Sequence, residues 1–148
     1  MRDIAVVDAS VAVQWLLPEL NTAEALQVLR TVPHLTAPEL IYPEVANALW
    51  KRAQRGELTY QQGEQLIDVF LSIQLETYPI ATLTPTAWHV AADFGVTVYD
   101  ALYLTLAEML HAPLITADHR LLAQISTASA RVQMVWGADV PSWLIGSQ

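Results

Sequence analysis

Short apolar runs of strand length alternate along this chain with longer segments of helical period. That alternation constrains the fold more than any other feature. Unbroken apolar runs suit strands buried on both faces, and parallel strands need crossover connections that are usually helical. The pattern therefore predicts an α/β domain built on a parallel sheet. Strands are expected at about 4–7, 35–37, 77–80, 113–116 and 132–135, with helices at roughly 11–17, 23–31, 39–54, 60–74, 85–93, 99–110 and 119–125. Asn21 lies three residues before Glu24, Thr59 three before Gln62, and Thr84 directly precedes Pro85, as caps and first-turn residues should. Gly56 follows a helix ending in Lys51, Arg52 and Arg55, a stop signal. No repeat, low-complexity stretch or linker interrupts the 148 residues, so one domain over 1–148 is expected. The segment 136–143 reads as a tail packed by its two tryptophans.

Four acids stand at strand-to-helix junctions or near helix starts: Asp8, Glu44, Asp100 and Asp118. Asp8 ends the run Ile4-Ala5-Val6-Val7, and Asp118 ends Pro113-Leu114-Ile115-Thr116-Ala117. Ligands of parallel α/β sheets bind outside the carboxyl ends of the strands, which places both side chains in one crevice. Clustered carboxylates repel unless a positive charge sits among them, and the usual solution is a divalent metal with oxygen ligands. Metal-dependent chemistry on a phosphate-bearing substrate is the reading this supports.

Each acid alone has a structural explanation. Asp8 could cap the helix after it, although Ser10 could do that alone. Glu44 matches the helix dipole, as Arg52 and Arg55 do at the far end. From Glu44 a polar stripe runs through Asn47, Lys51 and Arg55 at offsets of three, seven and eleven, all within about 60° of one helix face. It resembles the wall of a phosphate-binding groove. Thr97 to Asp100 fits a capping box, and Asp118 could cap the helix that follows. The helix at 99–110 is apolar nearly all round and so buried or shared with another subunit, which makes a charge at its head costly without a partner. Separate structural roles do not explain four acids at one edge of one sheet.

Other chemistries find little support. His34, His89 and His111 lack metal-ligand spacing and read as structural, while His119, beside Asp118, is a candidate to touch substrate. Neither a nucleophilic triad nor a phosphate-cradling glycine loop occurs, and the absence of cysteine removes thiolate zinc sites. Apolar residues make up 53% and charged ones 15%, which excludes disorder. No apolar run approaches the roughly 18 residues of a membrane span, and no signal peptide is evident at the start, so a cytoplasmic location is expected. The net charge of −8 works against generic nucleic-acid binding. Such a substrate must be held by a local basic strip, bound metal or a partner subunit.

At this point the residues resemble a known family, the PIN-domain ribonucleases, and specifically the VapC-type toxins of bacterial toxin–antitoxin pairs. The matching stretches are 6–11 with Leu17-Pro18-Glu19, Ala37-Pro38-Glu39-Leu40 running into 44–49, 98–104 with Ala107, and Leu114-Ile115-Thr116-Ala117-Asp118. The resemblance implies a three-layer α/β/α sandwich with a five-stranded parallel sheet. It also implies Asp8, Glu44, Asp100 and Asp118 as metal-binding and catalytic acids, with Ser10, Asn47 and Thr116 as polar support. One departure is Arg120, where many members carry another acid; it bears on a second metal site, not the first.

From the resemblance the expected reaction is hydrolysis of an RNA phosphodiester with Mg²⁺ or Mn²⁺. Asp8 and Asp100 would be the main ligands, with Glu44 and Asp118 completing the shell or orienting water. Lys51, Arg55 and Arg120 are candidates to hold single-stranded or structured RNA, along with Ser10, Asn47 and Thr116 around the site. The family further implies a homodimer and a VapB-type antitoxin whose C-terminal segment blocks the site. Trp15 and Trp50 are candidate anchors for that segment. The rival readings are a non-catalytic PIN-like scaffold and an aspartate-based phosphatase or receiver domain; the latter fits poorly because Ser10 stands where such phosphatases carry an aspartate.

Overall fold

The computed structural model describes residues 3–17 and 22–126, together with the backbone of 134–136. At its centre is strand β1 (Ile4–Val7). Ala5, Val6 and Val7 are each 0% exposed, and successive strand residues face opposite ways, so both faces of β1 are covered. It pairs on one side with β2 (His34–Pro38), from Ile4↔His34 to Val6↔Thr36, and on the other with β4 (Leu114–Thr116), as Val6↔Leu114 and Val7↔Ile115. Beyond β2 lies β3 (Glu76–Tyr78), and the backbone of β5 (Met134–Trp136) pairs with β4 from Leu114↔Met134 to Thr116↔Trp136. All pairings are parallel, in the order β3-β2-β1-β4-β5. The parallel α/β architecture follows the expected alternation.

The order places a switch point between β1 and β4, because the chain winds outward through β2 and β3 and returns to the other side of β1. A crevice opens at the carboxyl ends of two such strands. Here the Asp8 amide donates to the Ile115 carbonyl at 3.0 Å, so the residues leaving β1 and β4 are neighbours.

Helices α1 (Ala9–Leu16), α2 (Thr22–Thr31), α3 (Ile41–Gln54), α4 (Tyr60–Ser72), α5 (Ile80–Phe94), α6 (Val98–Leu110) and α7 (His119–Ser126) fill the connections. The box at Thr59 closes in both directions: Gln62 N donates to the Thr59 hydroxyl at 3.0 Å and Thr59 N to Gln62 Oε1 at 2.9 Å. Gly56, at φ 77°, follows α3 as the stop signal required. In α6, Ala101 through Ala107 are all buried, as its all-round apolar surface demands.

Helix α5 departs from expectation. It starts at Ile80, so Pro85 lies inside it rather than in its first turn. Thr84 is not the cap, because its hydroxyl donates to the Ile80 carbonyl one turn back at 2.8 Å. Lacking an N–H, Pro85 cannot bond the Ala81 carbonyl, but both residues are exposed and water can serve that oxygen. The expected cap at Asn21, the Pro18-Glu19 part of its motif and the tail beyond 136 lie outside the described residues. Among those described, no single helix is long and apolar enough to cross a membrane.

His111 ends α6 at φ 51° and ψ 39°, the left-handed region that suits glycine. His111→Gly is expected to raise stability by about 0.5–1 kcal/mol, seen as a rise of roughly 1–4 °C in melting temperature. No rise, or a fall, would show that the imidazole contributes more than its backbone costs.

Candidate active site

Asp8 turns β1 into α1. Its extended backbone (φ −82°, ψ 153°) makes it the N-cap residue, yet its side chain forms no cap bond. Instead its Oδ2 accepts from the Ser10 hydroxyl at 2.9 Å and the Thr116 hydroxyl at 2.8 Å. Those hydroxyls are themselves held, Ser10 Oγ by Ala117 N–H and Thr116 Oγ1 by Asp118 N–H, each at 3.0 Å. Each hydroxyl has one proton, and both protons are directed at Asp8. Ser10 lies within α1 and is therefore a brace between β1 and β4, not the alternative cap.

The other acids arrive from three helices. Glu44 lies in the first turn of α3, and its Oε1 accepts from the Tyr103 hydroxyl at 2.6 Å. Asp100 lies in the first turn of α6, where its amide donates to the capping Thr97 hydroxyl at 3.1 Å. Asp118 caps α7, its Oδ1 accepting from Arg120 N at 3.0 Å and Leu121 N at 3.2 Å. The cap reading of Asp118 thus holds alongside a place in the site.

All four carboxylates line one cleft of about 330 Å³, together with Ser10, Asn47 and Lys51. Burial pushes the Asp8 carboxyl above its ordinary range; Thr116 and Ser10 oppose that, while Asp100 and Asp118 add to it. Burial also raises Glu44, against the Tyr103 hydrogen bond and with the charges of Asp8 and Asp100. Asp100 is raised by burial foremost and by Asp118, with Thr97 and Arg120 pulling the other way. The cleft thus concentrates negative charge where water solvates it poorly.

Oxygen-only donors in this setting suit a hard cation. Among the described residues no three acidic or imidazole groups are close enough to chelate one ion together. The set therefore fits a cation that takes one or two carboxylates directly and keeps several waters, as Mg²⁺ commonly does. Asp8, Glu44, Asp100 and Asp118 are the residues that could hold it.

Folded Asp8, Glu44 and Asp100 bind protons more tightly than ordinary carboxyls at 3.8 to 4.5. The stability this contributes is full below those ordinary values and is lost as pH rises through the raised ones. The metal-free protein is expected to melt at progressively lower temperature as pH rises above that ordinary range. Thermal melts in EDTA check this, and an increase there would contradict it.

The remaining candidates separate by position. Asn47 and Lys51 face the cleft. Thr116 is 0% exposed with its hydroxyl spent on Asp8, so it braces the site and is not open to substrate. Arg55 is outside the cleft lining and pairs with Glu57 at 3.3 Å. Arg120 is exposed at the start of α7, near enough for its charge to favour ionised Asp100. Trp15 is no free anchor: its indole N–H donates to the Ala25 carbonyl at 2.8 Å and ties α1 to α2. Trp50 is 52% exposed. The sequence reading missed Tyr103, which looked like one more core residue of α6; its spacing of one turn from Asp100 was the available signal.

Comparison with known proteins gives the family and the fold. A family model described as PIN domain matches residues 5–126, a span containing all four acids. Ribonuclease VapC3 of Pyrobaculum aerophilum is 36% identical over 120 residues, covering 78% of this chain and 90% of that protein. Ribonuclease VapC9 of Mycobacterium tuberculosis is 35% identical over 116 residues, covering 78% and 87%. Among solved structures, PAE2754 from Pyrobaculum aerophilum shares the fold with a TM-score of 0.73 at 23% identity, over 98% of this chain and 96% of that one. VapC20 of Mycobacterium tuberculosis, described as a sarcin-ricin loop cleaving toxin, gives 0.63 at 14% identity, over 88% and 98%.

Proposed function

The chain belongs to the PIN-domain family, among the VapC ribonucleases, and we propose that it is a metal-dependent endoribonuclease toxin held in check by a VapB-type antitoxin. The observation that carries this reading is the convergence of Asp8, Glu44, Asp100 and Asp118 on one cleft at the β1/β4 switch point. Its frame is a single-domain three-layer α/β/α sandwich on a five-stranded parallel sheet, for which the two covered faces of β1 are the support. A cytoplasmic location and a homodimer belong to the same reading.

Asp8 and Asp100 would be the principal ligands for Mg²⁺ or Mn²⁺, and Glu44 and Asp118 would complete the shell or orient water. A cation held there would lower the pKa of its water and offset charge growing on the phosphate. The chain's own groups do the positioning. Ser10 and Thr116 fix Asp8 by two hydrogen bonds, Lys51 and Asn47 offer a cation and an amide to the RNA backbone, and Arg120, whose charge reaches Asp100, is a further cation for it. A phosphoacceptor role for Asp8 is less well served, because the residue is 8% exposed and its carboxylate is bound by two hydroxyls.

The antitoxin has a second surface to use. A cleft of about 360 Å³ between α3 and α4 is lined by Leu49, Trp50, Ala53, Tyr60 and Ile67, with Glu64 and Asp68 also on it. That combination suits an amphipathic helix with apolar anchors and a basic flank. From there Lys51, next to Trp50 on α3, leads to the acidic cleft.

Purified, antitoxin-free protein incubated with total cellular RNA tests the reading. Discrete cuts with Mg²⁺ or Mn²⁺ and none in EDTA are expected. An intact RNA pool, in the presence of metal and folded protein, would point to a scaffold.

A further inference from the structure

Tyr103 is a buried polar group that the proposed reaction leaves without a task. It lies one turn after Asp100 on α6 and is 1% exposed. Its hydroxyl donates to Glu44 Oε1 at 2.6 Å. One hydroxyl thus ties α6, which carries Asp100, to α3, which carries Glu44.

We propose that Tyr103 is a positioning residue for Glu44, engaging one carboxylate oxygen so that the rest of the group is held toward the cleft it lines. This rests on the ribonuclease reading, which gives Glu44 its task. The glutamate rises from α3, whereas Asp8 and Asp100 come from other elements. A long side chain would otherwise sample several rotamers, and a hydrogen bond from a buried donor selects among them. Groups that orient a metal-binding carboxylate in this way typically matter by about 10- to 100-fold in metal affinity or activity. If instead Tyr103 only fills space, phenylalanine would serve equally.

A double-mutant cycle separates these roles. Wild type, Tyr103→Phe, Glu44→Gln and the double variant are compared for Mn²⁺ affinity by electron paramagnetic resonance and for kcat and KM on RNA. Tyr103→Phe is expected to weaken Mn²⁺ binding or lower kcat by about 10-fold or more, leave KM for RNA nearly unchanged, and cause no further loss in the Glu44→Gln background. Wild-type values in Tyr103→Phe, or an equal proportional loss with and without Glu44, would overturn the proposal. The Mn²⁺ arm needs no RNA. A wild type that binds Mn²⁺ but cuts nothing would defeat the ribonuclease reading while that arm still decides Tyr103; no Mn²⁺ binding by wild type would defeat both. Should Tyr103→Phe fail to fold by circular dichroism, Tyr103→Met, which fills much of the same space without a hydroxyl, takes its place and carries the same expectation.

Discussion

Asp8→Asn is expected to reduce RNA cleavage by about 1,000-fold or more while raising the melting temperature of the metal-free protein. The loss would follow from removing a carboxylate proposed to hold the cation in the cleft, where preorganised electrostatics would supply much of the rate. The gain has a separate cause. Asp8 is 8% exposed and is raised by burial and by two neighbouring acids, so its ionised form is disfavoured in the fold. Asparagine keeps a carbonyl oxygen able to accept from both Ser10 and Thr116 and removes the buried charge. A gain of about 1–2 kcal/mol corresponds to roughly 2–8 °C in a chain of this size. Opposite signs in the two readouts distinguish a catalytic carboxylate from a structural one, whose loss would lower both. Melts in EDTA and timed digests of RNA with Mg²⁺ measure them.

Trp50→Ala is expected to weaken antitoxin binding by about 30-fold or more, the equivalent of roughly 2 kcal/mol at an aromatic hot spot. Trp50 is 52% exposed on the α3/α4 cleft, so truncating it removes contact area without opening the core. Trp88, 67% exposed on α5 and outside that cleft, is the control, and Trp88→Ala should leave antitoxin affinity within about twofold. Titration of each variant with cognate antitoxin reads both. Equal losses at the two tryptophans would remove the case for the cleft.

The parallel architecture was legible because β1 is apolar without interruption and β4 nearly so, as strands covered on both faces must be. The four acids were legible for a related reason. A parallel sheet sends every strand's carboxyl end to the same edge, so positions 8 and 118 could be brought together without knowing any contact. What the sequence concealed was the use made of side chains once there. Ser10 and Asp8 both resemble helix caps, and only the approach of Thr116 from β4 shows that their polar atoms face each other. Tyr103 reads as core because a single hydroxyl hardly alters an apolar helix pattern, and its partner Glu44 is 59 residues away. Pro85 misled through local chemistry: Thr84-Pro85 resembles a helix start, but packing of Leu83, Ala87 and Val90 carries α5 through it. Arg55 continued the stripe from Glu44 by angle alone, and Glu57, just past the helix end, claimed its charge.

The central claim is that the acidic cleft around Asp8 holds the cation on which RNA cleavage depends. Its most direct test is a titration of Mn²⁺ into metal-free protein, with bound Mn²⁺ and RNA cleavage rate read on the same samples. The account predicts that the two rise together in wild type and that both are lost in Asp8→Asn. Full cleavage with no bound Mn²⁺, or undiminished cleavage by Asp8→Asn, would contradict it.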